Sequence, residues 1–262
     1  MYTFTKPNLI TEQFILPSGG KIYNLPWFDG HITLRAMTTI EERIRLGSQN
    51  FYEGMVSIVN ECIVDNKNPD GTYKLDSLYF TLFDFDAICV KLRIITYGPE
   101  YKVNCNCLKC GKQFTYKADL RDCEFSFLPE DFVEPYDVGP LPHSGDTLGC
   151  RFLRVKDKID IDKKAQEILV KNPDYIGDPE YLLDMTHRIM TINGEDSDVI
   201  MTSKYVENMI GLDSDYFHRF IDSAFYGVRR LGFTDCPDNK CGSKVMYIVK
   251  ADENFFRAGR DY

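Results

Sequence analysis

Apolar and polar residues alternate over His31-Ile32-Thr33-Leu34-Arg35, the pattern of a strand with one buried face. Ahead of it, Phe14-Ile15-Leu16 runs into the turn Pro17-Ser18-Gly19-Gly20, so the first 36 residues read as extended chain broken by turns, with residues 1–13 as a loose arm. A helical period begins at Thr38-Thr39-Ile40-Glu41-Glu42, where Thr39 and Glu42 have the spacing of a capping box. A second helix is expected over 51–63, then a turn cluster over 65–71. From Asp76, the residues Leu78, Leu82, Phe85, Cys89 and Leu92 recur at helical spacing, which predicts a helix capped by Asp76 or Ser77 and stopped by Gly98-Pro99.

Residues 101–106 and 113–118 read as two short strands around a tight cysteine turn. Four prolines between Pro129 and Pro142 make 123–145 a loop, and Leu148–Val155 reads as another strand. Helices follow over 158–171, 178–190, 199–210 and 214–229. The last carries the stripe Phe217, Phe220, Ile221, Ala224 and Val228 behind a start at Asp213 or Ser214. Asp157, Asp160 and Asp162, spaced with lysines, read as a solvated helix start. A strand over 244–249 closes the chain. The class is α+β, mostly helical, in three stretches: an α+β part over 1–128, a proline-rich linker over 129–146, and a mainly helical part over 147–262.

Composition narrows the function classes. The chain has 262 residues, 44% of them hydrophobic and 27% charged, which are globular proportions. A net charge of −9 argues against a general duplex-DNA binder and against docking on an anionic membrane. No apolar run approaches the roughly 18 residues of a membrane span. The N-terminus lacks the apolar core of a secretory signal, so the expectation is a soluble chain made inside the cell.

Nine cysteines, an odd number, do not suggest a disulfide framework. Four of them form two pairs: Cys107-Leu108-Lys109-Cys110-Gly111 and Cys236-Pro237-Asp238-Asn239-Lys240-Cys241-Gly242. Spacings of two and four residues let both thiolates of a pair face one Zn²⁺, and the glycine lets backbone amides turn toward the sulfurs. Four thiolates make a closed structural site with no open position for substrate. The pairs are 125 residues apart, where a contiguous ribbon leaves about 15–20, so the expected module is a split, zinc-ribbon-like antiparallel unit. Cys105 is an alternative to Cys107 as ligand.

Other chemistry is thin. No nucleophile elbow, phosphate loop, dinucleotide fingerprint or metalloprotease helix is present, and His31, His143, His187 and His218 lie far apart in the chain. Lys102, Lys109, Lys112, Lys117, Arg229, Arg230, Lys240 and Lys244 give the cysteine region a basic tint, with Phe114, Tyr116 and Tyr247 able to stack on bases. A zinc-ribbon nucleic-acid binder is therefore the competing reading, with the acidic balance against it.

Leu16-Pro17-Ser18-Gly19-Gly20-Lys21-Ile22-Tyr23 and Ile32-Thr33-Leu34-Arg35-Ala36-Met37-Thr38-Thr39-Ile40-Glu41-Glu42, then Leu92-Arg93-Ile94-Ile95-Thr96-Tyr97-Gly98 and the Cys107/Cys110 turn, occur in that order. In this order they resemble the baseplate proteins of T-even-like contractile-tailed bacteriophages, most clearly over 14–120. The resemblance implies a subunit of the tail baseplate hub or a factor that helps assemble it, without catalytic residues. Its partners would be other hub, wedge or tape-measure proteins, with room for a homo-oligomer in a symmetric assembly. It would be located in the virion tail, and in host cytoplasm during assembly. A tail chaperone absent from the finished virion is the remaining alternative. Sixteen tyrosines and 18 phenylalanines exceed what a core of this size needs, and aromatics are enriched at protein interfaces.

Overall fold

The structure is a computed structural model, and it describes residues 9–48, 50–223, 226–250 and 255–256. Strands β1 (Thr11–Ile15) and β2 (His31–Arg35) pair antiparallel with Phe14 opposite Ile32. Residues 11–13 are therefore sheet, not arm, and residues 1–8 lie outside the described residues. The loop between the strands folds back on itself at Gly30, with φ +84°, where an added Cβ would lie 2.4 Å from the Gly19 carbonyl carbon. Only glycine allows that crossing.

Helix α1 (Thr39–Gly47) starts one residue earlier than the expected capping box. Thr38 is the cap, and the Glu41 carboxylate accepts from its amide at 2.7 Å. Glu41 is buried and also accepts from Arg35 of β2 at 2.8 Å, so the ion pair to the strand sets the register of the box. Helix α2 (Phe51–Cys62) starts at Asn50, whose side chain accepts from Glu53 N.

Helix α3 (Leu82–Tyr97) begins six residues beyond Asp76. Leu82 N donates to Leu153 O and Val155 N to Phe80 O, and this pairing pulls residues 80–81 out of helical geometry. Asp76 caps only a single 3-10 turn, Ser77–Tyr79, and Thr81 caps the helix proper. Phe85, Ala87, Ile88, Cys89, Val90, Leu92 and Ile95 are all buried, so α3 is the central pillar of the main core and not a one-sided surface helix.

Strands β3 (Glu100–Asn106) and β4 (Gln113–Asp119) form the first cysteine hairpin. Two short strands stand inside the stretch read as loop: β5 (Glu124–Ser126) and β6 (Tyr136–Val138). Strand β7 (Leu148–Cys150) is shorter than expected: residues 151–153 are irregular, Arg154 makes only an isolated bridge to Thr81, and Val155 opens helix α4 (Val155–Lys171). Asp157 fixes the helix start by accepting from Arg154 N at 2.7 Å and pairing with Arg151 at 2.7 Å. It is buried, so the solvated reading of this acid does not hold.

Helix α5 (Pro179–Arg188) leads into β8 (Ile189–Ile192) and β9 (Glu195–Asp196). The Asn193-Gly194 turn between those strands has both residues at positive φ, the two-residue hairpin geometry. Strands β6 to β9 form one antiparallel sheet in sequence order. Helices α6 (Val199–Glu207) and α7 (Gly211–Ser223) follow. Helix α7 stops well short of 229: Val228 lies in β10 (Gly227–Arg229), paired with β5, and Ala224 lies outside the described residues. Strands β11 (Leu231–Asp235) and β12 (Lys244–Ile248) form the second cysteine hairpin.

The main core gathers β2, α2 and α3 with both cysteine hairpins, Val155 and Ile159 of α4, and Phe255 and Phe256. A second apolar cluster is built from Val138, Leu141, Leu148, Cys150, Met185, Ile189, Val206, Phe217 and Ile221. The described chain is α+β: seven helices and several small antiparallel sheets.

Candidate metal centre

The two cysteine turns are built alike. Cys107 N donates to Lys112 O at 2.9 Å across the first, and Cys236 N donates to Ser243 O at 2.9 Å across the second. Within each, a glycine at positive φ, Gly111 or Gly242, reverses the chain just after the second cysteine. Gly111 N donates to Cys107 O at 2.8 Å, and Gly242 N donates to Asp238 O at 3.3 Å. The second turn is longer by two residues, and Asp238 braces it by accepting from Lys240 N at 2.9 Å.

The hairpins pack so that their turns meet. Tyr116 of β4 lies 5.1 Å from Tyr247 of β12, ring centroid to centroid. The Tyr247 ring in turn covers Gly232 of β11, where an added Cβ would fall 2.5 Å from the ring. Lys109 crosses the gap to the Cys241 carbonyl at 3.3 Å.

Cys107, Cys110, Cys236 and Cys241 are thereby brought together, all four sulfurs within 4.8 Å of one another. Cys107 Sγ is 3.7 Å from Cys241 Sγ, and Cys110 Sγ is 3.6 Å from Cys236 Sγ. Metal–sulfur bonds of about 2.3 Å in a tetrahedron place sulfurs roughly 3.8 Å apart, so this donor set fits a four-thiolate ion site. Cys105 stays out of the group: it is buried, with its thiol directed at the Val103 carbonyl. Among the described residues no other group of three or more histidine, cysteine or acidic side chains is placed to share an ion.

Electrostatics fit the same use. The Ser243 hydroxyl touches Cys107 Sγ at 3.1 Å and Cys241 Sγ at 3.2 Å. Together with the amides of the first turn it draws the Cys107 thiol down to about 6. Against the Lys112 amide, the neighbouring sulfurs push the exposed Cys110 thiol up. Four sulfurs this close cannot all ionise without a cation among them. Ser243 was not read from the sequence as part of the site. Its signal was its place after Cys241-Gly242, equivalent to Lys112 after Cys110-Gly111.

The basic residues around the turns are largely engaged. Lys117 pairs with Glu100, Lys244 with Asp235, Arg230 with Asp86 and Arg229 with Glu124. Phe114, Tyr116 and Tyr247 pack against the main core instead of forming a stacking platform. The histidines do not converge: His31 pairs with Asp29, His187 lies near Asp157, and His218 stacks on Tyr181.

The outer face of the second hairpin is apolar. Leu231 lies opposite Ile248 and Phe233 opposite Met246, so all four share one face, and all are exposed, Phe233 by 61%. None of the described helices is long and apolar enough to cross a membrane.

Residues 8–257 match the family model described as T4 bacteriophage base plate protein. No curated protein and no solved structure gives a significant match.

Proposed function

We propose that this chain, which belongs to the T4 bacteriophage base plate protein family, is a non-enzymatic structural subunit of the baseplate hub, with one structural Zn²⁺ held by Cys107, Cys110, Cys236 and Cys241. The observation that carries the reading is the family match over nearly the whole chain. The convergence of four sulfurs supports the metal, and an all-sulfur donor set suits zinc. Such an ion, when bound, supplies a tie and not a reactive centre. Each cysteine pair is held by its own hairpin, so the tie pins the β3–β4 hairpin to β11–β12.

The protein's work is then to bind other tail proteins in the virion tail. The exposed face of Leu231, Phe233, Met246 and Ile248 supports protein contacts, because large apolar side chains grouped on one rigid face are a feature of interfaces. The paired cations around the turns weigh against nucleic acid. Three measurements test this. Elemental analysis of freshly purified reduced protein should give about one zinc per chain. Affinity capture from infected cells should recover other baseplate proteins with the wild type, and should lose them with Phe233→Asp while the melting temperature holds within about 2 °C. Capture that survives this substitution would remove the face from the reading. Presence in infected lysate but absence from purified virions would replace a resident subunit with a transient assembly factor.

A further inference from the structure

The close sulfur contacts run between the hairpins. Cys107 of the first turn meets Cys241 of the second, and Cys110 of the first meets Cys236 of the second. Access from solvent is uneven: Cys110 is exposed, Cys241 is half-buried, and Cys107 and Cys236 are 1% and 6% exposed. The Ser243 hydroxyl lies against Cys107 and Cys241, covering that pair. A small reagent arriving from water therefore reaches Cys110 first, and Cys236 is already 3.6 Å from it.

We infer that Cys110 and Cys236 form an oxidation site, where a low-molecular-weight peroxide converts them into a disulfide joining the two hairpins. It rests on the zinc reading only for what the disulfide replaces. Cys110, kept deprotonated by the zinc in the loaded form and giving its proton to solvent in the stripped form, attacks one peroxide oxygen; the O–O bond breaks and hydroxide leaves, giving the sulfenic acid. The Cys236 thiolate then attacks the Cys110 sulfur, the S–O bond breaks, and a second hydroxide leaves. The two sulfurs give up two electrons, and the peroxide takes them. The sulfurs close from 3.6 Å to about 2.05 Å, a movement within the reach of side-chain rotation in two short turns. Only Cys107 and Cys241 then remain as ligands, too few for a closed ion site. A second equivalent of peroxide joins that pair more slowly, behind Ser243.

The consequence is a change of staple without a change of fold. A metal tie suits the reducing cytoplasm where the protein is made, and a disulfide suits the oxidising medium that virion surfaces meet. Because both links join the same turns, the packing of β3–β4 on β11–β12 is retained through the exchange. Disulfides within a turn would instead leave the two hairpins free of each other.

The test uses the full chain, reduced, in zinc-loaded and chelator-stripped forms, treated with one equivalent of hydrogen peroxide. Disulfides are mapped by mass spectrometry, and released zinc is read with a chromogenic chelator. The Cys110–Cys236 peptide pair should outnumber the within-turn products at least tenfold in both forms, with zinc released in step. Cys110→Ser should slow thiol loss at least tenfold. Predominant Cys107–Cys110 or Cys236–Cys241 links, or oxidation ending as sulfonate on Cys110, would overturn the inference. Protein that carries no zinc as purified, before any chelator, and still yields the Cys110–Cys236 link would refute only the metal reading.

Discussion

Replacing Cys236 with serine removes one sulfur of the four and with it a tie between distant parts of the chain. The loop it closes with Cys110 spans 125 intervening residues. An ion that leaves on unfolding stabilises the folded chain by its binding free energy, about 4–5 kcal/mol at 25 °C for free zinc a thousandfold or more above Kd. For a chain of this size each kcal/mol moves the melting temperature by roughly 2 °C, so full loss of the tie should lower it by about 10 °C. Zinc held weakly by either pair in the unfolded chain would reduce the figure. The assay is a thermal melt of wild type with and without chelator, beside Cys236→Ser, with zinc content measured on each sample. Wild type with chelator and the variant without it should melt together, both well below metal-loaded wild type. Hydrogen exchange should quicken over 101–118 and 230–250 in both. Cys89→Ser is the control. Cys89 is buried in the main core away from the site, so its substitution should cost about 1–3 kcal/mol with zinc content unchanged. The reasoning fails if stripping the zinc leaves the wild-type melt in place, or if Cys236→Ser keeps one zinc per chain at full stability.

Three further outcomes follow from the packing. Glu41 is buried against Arg35, and although burial alone would raise its pKa, its hydrogen bonds to Arg35 and Thr38 bring it down to about 2 from 4.5. Its contribution is therefore complete above pH 4.5 and lost as pH falls toward 2; Glu41→Gln should cost about 1–2 kcal/mol at pH 7 and almost nothing near pH 2, read from denaturant melts across pH. Gly30→Ala should destabilise by about 2 kcal/mol or more, because its Cβ would strike backbone, whereas Gly71→Ala, also at positive φ but facing open space, should cost about 1 kcal/mol. We also propose that the chain divides near 129–146 into units of unequal stability: native-state hydrogen exchange should show α5 to α7 and β6 to β9, which carry the second apolar cluster, opening before α3, and a single opening free energy for both would remove the division.

What the sequence made legible follows the range of the forces involved. The strand His31–Arg35, helix α2 and the hairpin around Cys107 and Cys110 each carry their own period and punctuation, and they stand where the pattern put them. The four cysteines were legible because thiolate spacing and a following glycine are local signals, even though their meeting is not local. Errors came where a distant partner set a boundary. Asp76 and Thr81 are both good caps, and only the pairing of residues 80–82 with 153–155 selects Thr81. Asp157 looked solvated among lysines, but Arg151 and the Arg154 amide draw it inward. Val228 kept the helical spacing of α7, yet β5 holds it in a strand. The hairpin β8–β9 was missed although Asn193-Gly194 announces it, because residues 191–198 fall between two expected helices and the strands are only four and two residues long.

The separation of the two cysteine turns also has a meaning in time. At synthesis rates of about 5–20 residues per second, the second turn leaves the ribosome roughly 6–25 s after the first. Through that interval Cys107 and Cys110 have no partners, and the inner face of β3–β4 has no β12 to cover it. Arg93, in the middle of α3, waits longer still, since its guanidinium donates to the carbonyl of Phe255. A nascent chain halted between these points leaves the Cys107–Cys110 turn and the apolar face of β3–β4 uncovered. The tie between the hairpins is thus available only after most of the described chain has been made.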